Sequence, residues 1–156
     1  MSETAASPQA VFNIEKLYVK DLSLEIPHAP GIFLERESPQ IDLQLHTQAN
    51  PIDEAMFEVI LTVTLTAKLK AKDKVMFLIE AKQAGVFQLR NMPPEELEAV
   101  LGVACPNILF PYLREVVSDL AVRAGFAPVL LNPINFDALY QQQKQLQTQA
   151  VPVTKH

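Results

Sequence analysis

One cysteine and three histidines are the side chains from which nucleophilic or metal chemistry would have to be built in this 156-residue chain. Cys105 opens the stretch CPNILFPYLRE, which reads as the entry to a helix, and the positive end of a helix lowers the pKa of a thiol placed there. A thiol enzyme also needs a base beside that thiol. His28 falls in a loop, His46 on the polar side of a strand and His156 at the final position, so the pattern brings none of them to Cys105. The competing reading is a small buried apolar residue at a helix junction. A lone cysteine builds neither a disulfide framework nor a cysteine-rich zinc site, and the chain has no phosphate loop, GxSxG or GxGxxG. No catalytic residue, metal or cofactor is expected.

The acids form the second set. Asp21 and Glu25 lie on one side of an alternating segment, about 13 Å apart by strand rise, and solvated surface is their default reading. Net charge is −5 with Lys and Arg scattered, which argues against nucleic acid and favours basic protein segments as partners. Hydrophobic residues make up 49% of the chain, more than a small monomer of this length needs, so subunit contacts are expected. The polar start, MSETAASPQA, has no basic leader and no apolar run of about 18 residues behind it. A soluble, cytoplasmic protein is the expectation.

The elements follow from the patterns. Phe12 to Ile26 reads as a long strand whose end alternates Asp21, Ser23 and Glu25 with Leu22, Leu24 and Ile26. PHAPGIF breaks it and starts a long crossing loop that carries Ile32, Phe33 and Leu34, equally readable as a lid on the core or as the wall of a peptide groove. IDLQLH makes a second strand. The third puts Phe57, Val59, Leu61, Val63, Leu65 and Ala67 on one face, and a charged turn joins it to a fourth. In the fourth, Phe77, Ile79 and Ala81 oppose Met76, Leu78, Glu80 and Lys82, so both faces are partly apolar and the second calls for cover by another subunit. PEELEAVLGV then predicts a helix, Pro106 a break with Asn107 capping a new start, and Leu109, Leu113, Val116, Val117 and Leu120 an amphipathic helix ending at Gly125. After an extended apolar loop, Asn135 is set to cap a last helix carrying Phe136, Leu139 and Tyr140. Residues 1–10 are expected to be disordered, 11–140 to form one domain, and the glutamine-rich residues 141–156 to fray as a mobile tail.

CPNILFPYLRE, PINFDALY, QAGVF and LYVKDLSLEIPHAP, in that register from about Phe12 to Tyr140, closely resemble the SecB protein-export chaperone family. The resemblance implies an α+β subunit, a four-stranded antiparallel sheet with helices on one face, assembled as a homotetramer, a dimer of dimers. It implies a non-enzymatic, ATP-independent chaperone that keeps newly made precursor proteins unfolded and delivers them to the motor ATPase SecA. By the same resemblance Asp21, Glu25, Leu78 and Glu80 are the motor-docking residues, receiving the motor's basic, zinc-stabilised tail, the zinc being the partner's. Phe77, Ile79, Ala81 and Gln83 match positions tied to tetramer assembly. Ile32, Phe33 and Leu34 on one side and Phe126, Val129, Leu130 and Leu131 on the other match the client groove, with Tyr112 and Phe136 as further candidates. The chain departs from the pattern before the second strand, where family members often carry Trp: Ser38 stands there and the chain has no Trp, so the aromatic lining is reduced or falls to Phe33. The alternatives are a SecB-like chaperone for a non-export client such as an antitoxin and, from another class, a thiol enzyme using Cys105.

Overall fold

The computed structural model describes residues 8–150, and the expectations for residues 1–7 and 151–156 lie outside the described residues. Four antiparallel strands, β1 (Val11–Glu25), β2 (Gln40–Asp53), β3 (Met56–Leu69) and β4 (Lys74–Arg90), form one sheet in the order β1-β4-β3-β2. The chain therefore has to pass from one sheet edge to the other between β1 and β2, and residues 26–39 make that crossing with a short 3-10 turn at Gly31–Leu34. Helices α1 (Pro94–Ala99), α2 (Cys105–Arg123) and α3 (Phe136–Ala150) follow.

The core is the inner face of the sheet beneath α2. Val59, Leu61, Val63, Leu65, Ala67 and Leu69 of β3 have no exposed surface, and Leu109, Leu113 and Val117 of α2 meet them from above. Burying one such side chain is worth about 1.5–3 kcal/mol, which is why strict alternation in β3 fixes which face carries the helices. Among the described residues the other face carries no helix.

β1 is less regular than its sequence implies. Its pairing with β4 skips Glu15 and Lys20, two bulges, so the inward positions run Phe12, Ile14, Leu17, Val19, Leu22 and Leu24, a spacing of 2, 3, 2, 3, 2. Tyr18 and Lys20 both reach across β4 to Glu58 of β3: the Tyr18 hydroxyl donates to the carboxylate and Lys20 Nζ lies 2.9 and 3.0 Å from its two oxygens. β2 runs on to Asp53 through Pro51, tolerated because β2 is an edge strand with a ladder on one side only.

Pro106 does not break the helix. Pro94 to Arg123 is one continuous helical stretch, with a π-helical turn at Val100–Ala104 where the Cys105 N–H reaches the Val100 carbonyl. Pro106 has no N–H for the Gly102 carbonyl, and the wider turn upstream absorbs that loss in place of a break. Asn107 accordingly sits inside the helix, exposed, and caps nothing. The stretch is long and apolar enough to cross a membrane, but Leu109, Leu113, Val117 and Leu120 are spent on the sheet. Asn135 does cap α3, its side-chain oxygen accepting the Ala138 N–H at 3.0 Å. The helix then continues over the glutamine-rich residues to Ala150 and does not end at Tyr140. Gly102 lets it approach, since a Cβ there would stand 2.7 Å from the Tyr140 ring.

Tyr18 and Glu58 read each other's charge. Burial, then the Glu58 carboxylate, pushes the Tyr18 hydroxyl from 10.0 up to about 12. The Tyr18 hydrogen bond, then Lys20, holds Glu58 below the usual carboxylate range. A raised phenol pKa favours the protonated folded state, so its stabilisation is complete below pH 10 and is lost as pH rises towards 12. An absorbance titration of phenolate formation should contain a component near pH 12 that Tyr18→Phe removes; an unchanged titration in the variant would refute the pairing.

Candidate functional site

Two surfaces emerge, one on each side of the sheet. On the open face the register sets Asp21 opposite Lys82, Ser23 opposite Glu80 and Glu25 opposite Leu78. The four residues expected to dock the motor thus share one face on two neighbouring strands. The rows continue through Thr62, Thr64 and Thr66 of β3 to His46, Gln44 and Asp42 of β2. Asp42, which the sequence reading did not single out as a site, adds a carboxylate to this face. In these three rows four carboxylates, Asp21, Glu25, Glu80 and Asp42, stand with one lysine, Lys82, and Leu78 is the large apolar side chain among them. Such a surface attracts cations without enclosing them.

The second surface is a groove of about 290 Å³ where the crossing loop meets the segment after α2, lined by Pro39, Ile41, Met76, Phe77, Phe126, Ala127, Pro128 and Val129. Its floor is an aromatic stack: Phe77 and Phe126 have ring centroids 4.7 Å apart, and Phe33 extends the stack to Phe126 at 5.3 Å. The end of α2 makes this possible. The Gly125 N–H bonds the Val122 carbonyl and the Phe126 N–H the Ala121 carbonyl, a Schellman ending with Gly125 at φ +91, which turns Phe126 back onto Phe77. Phe33, in turn, lies over Gly125 where a side chain would touch its ring.

Not every expected groove residue lines it. Phe126 and Val129 do, Phe33 caps the stack while remaining half exposed, and Leu34 projects from the loop at 84% exposure. Ile32 has no exposed surface: the 3-10 turn points it into the core while its neighbours face out, so it anchors the loop. Leu131 and Phe136 are also buried, Phe136 against Phe110 at 5.6 Å, and Arg114 Nε holds the Leu131 carbonyl at 2.7 Å. Leu130 lies exposed over a separate hollow with Pro111, Arg114 and Val122, and Tyr112 is exposed on α2. Alternation set Met76 opposite Phe77, but a third bulge leaves Met76 unpaired and brings both to the groove. Pro39, Ile41 and Pro128 carried no signal beyond being apolar next to loops. A larger hollow, about 450 Å³, lies between β2 and α3 with Leu45, Leu101 and Tyr140 in its walls.

Phe77, Ile79, Ala81 and Gln83, expected at a tetramer interface, are all buried on the inner face within the subunit. The cause is their parity, which pairs them with Ala67, Leu65, Val63 and Leu61 under α2. The uncovered apolar surface is on β1 instead: Phe12, Ile14, Val19 and Leu22, all inward-facing on an edge strand that α2 does not reach, keep 37–47% of their surface exposed. Cys105 is fully buried, and burial pushes its thiol from 9.0 up to about 12, the reverse of an activated nucleophile. His28 and His46 are exposed, His46 on the open face of the sheet. Among the described residues no group of His, Cys, Asp and Glu is arranged to hold a metal.

An open antiparallel sheet with helices on one side, an apolar groove at its rim and an acidic outer face defines an α+β binding protein. The family described as preprotein translocase subunit SecB matches residues 5–147. The protein-export protein SecB of Nitrosomonas eutropha is 66% identical over 142 residues, covering 91% of this chain and 89% of the relative, and that of Methylobacillus flagellatus is 56% identical over 152 residues, covering 97% and 96%. A SecB-like chaperone from Mycobacterium tuberculosis, solved with a peptide from an antitoxin, shares the fold at a TM-score of 0.65 and 20% identity, covering 79% of this chain and 90% of that one. The chain belongs to the SecB family, and its function is that of a protein-export chaperone.

Gly125→Ala tests the groove's construction. An L side chain at φ +91 costs about 1–2 kcal/mol and crowds the Phe33 ring at 3.0 Å, so the melting temperature should fall by a few degrees. A melting curve unchanged from wild type would contradict the close approach of the loop to α2.

Proposed function

We propose that this protein is a cytoplasmic, ATP-independent holding chaperone that takes unfolded precursor proteins into the aromatic groove and delivers them to the SecA motor through the acidic sheet face. The reading rests on the separation of the two surfaces. A groove walled by Phe, Pro, Met and Val offers apolar area without hydrogen-bond geometry, which suits clients of many sequences. The acidic face offers charge without depth, which suits a short basic segment such as the motor's zinc-stabilised tail. No catalytic step, cofactor, resident metal or nucleic acid enters this reading, and nothing in it requires insertion into a membrane. The single domain is taken as residues 11–140, with the glutamine-rich residues from 141 onward outside it.

The docking residues are Asp21, Glu25, Leu78 and Glu80, with Asp42 as an outlying member. Charge reversal at Asp21 and Glu80 should weaken binding of the motor's C-terminal peptide at least tenfold in calorimetry, while binding of an unfolded client changes less than twofold. Equal losses of both would remove the docking role of this face.

The homotetramer is supported by the exposed apolar strip along β1, a row that a second copy would cover. Substitution at Phe77, Ile79, Ala81 or Gln83 would act on assembly indirectly, by lifting α2 from the sheet. Light scattering should give four subunits for the wild type and smaller species for Ile14→Lys with Leu22→Glu; a wild-type monomer at micromolar concentration would contradict this assembly.

A further inference from the structure

We propose that Lys72, on the turn between β3 and β4, is a positioning residue for the client groove, holding the crossing loop in place through Glu35. The inference rests on the groove reading given above. Lys72 Nζ lies 2.8 Å from both carboxylate oxygens of Glu35, which directly follows the 3-10 turn bearing Phe33. Across the loop the backbone hydrogen bonds are local: Ala29 to Ile26, Ile32 to His28, Phe33 to Pro30 and Glu35 to Ile32. Among the described residues none of these ties the loop to the sheet or to α2. Its moorings are side chains, namely the Ile32 anchor, the Phe33 ring on Phe126, and the Glu35–Lys72 pair. Ile32 and Phe33 grip one end of the turn, and the ion pair is the mooring past its other end.

The turn is arranged to spare Lys72 for this role. Asp73, its neighbour, is occupied by Lys68 at 2.5 Å, and Glu35 is the carboxylate that Lys72 contacts, with Glu37 adding negative charge nearby that also favours the Lys72 cation. Glu35 is also the better-shielded partner, with 22% of its side chain exposed against 52% for Lys72. An ion pair this exposed is weak, but a long loop with few other moorings is sensitive to a weak one. Losing it loosens the loop that carries Phe33, which caps the aromatic stack beneath the groove, and a client must then reorder that loop on binding.

The test is a charge swap. Lys72→Glu and Glu35→Lys should each raise amide hydrogen exchange at Phe33 and Glu35 by about two- to fivefold and raise the dissociation constant for reduced, carboxymethylated α-lactalbumin by a similar factor. The double variant, Glu35→Lys with Lys72→Glu, should restore both. Exchange at wild-type rates in the single variants, or no restoration in the double variant, overturns the mooring and leaves the groove reading standing. Faster exchange with unchanged client affinity also overturns the proposal, because the loop would then be moored by Lys72 without serving the groove.

Discussion

The packing of α2 along the inner face of β3 and β4 settles where everything else in this molecule can be. Six consecutive inward residues of β3 are removed from water in the core that α2 closes, and the same core holds Phe77, Ile79 and Ala81 of β4. Because a strand's side chains alternate, committing one face to the helix commits the other to solvent, and the acids of β1 and β4 are gathered there. The groove depends on the same contact from the other end. α2 has to finish where the crossing loop passes, and its left-handed Gly125 ending turns Phe126 onto Phe77.

The parts of this arrangement that were legible in the sequence are those governed by a single strong term. β3 could be read residue by residue because its inward positions from Val59 to Leu69 are all fully buried, with Phe57 at the strand's start partly so. The crossing loop was legible because its prolines and glycine forbid a strand over a span too long for a tight turn. What escaped was compromise between terms. The bulges at Glu15, Lys20 and Met76 each insert one residue, and a period of two cannot locate an insertion that hydrophobic contact on both sides tolerates. Proline propensity pointed to a break at Pro106, whereas the contacts of α2 with the sheet outweigh one missing hydrogen bond and shift the irregularity upstream into a π turn.

The site residues divide along the same line. Asp21, Glu25, Leu78 and Glu80 were placed together correctly by parity and likeness, since facing is a property of a strand. Apolar residues of loops and helix ends have no such rule: Ile32, Leu131 and Phe136 have the same composition as groove walls, and all three are buried. Parity misled in one direction only. It showed that β4 is apolar on both faces, but the uncovered apolar strip is on β1, because an edge strand lies beyond the width one helix can cover.

The lack of Trp is accommodated by the same geometry. Three phenylalanines from three different segments, the crossing loop, β4 and the end of α2, stack in a line, so the aromatic surface is built by convergence and not by one large side chain. Convergence makes the groove's shape dependent on the loop that brings Phe33. A tryptophan fixed to a strand would keep its place when the loop moved; Phe33 moves with it. The breadth proposed for client binding and the weak mooring of the loop are then one property, since a wall that shifts at low cost is a wall that fits many sequences.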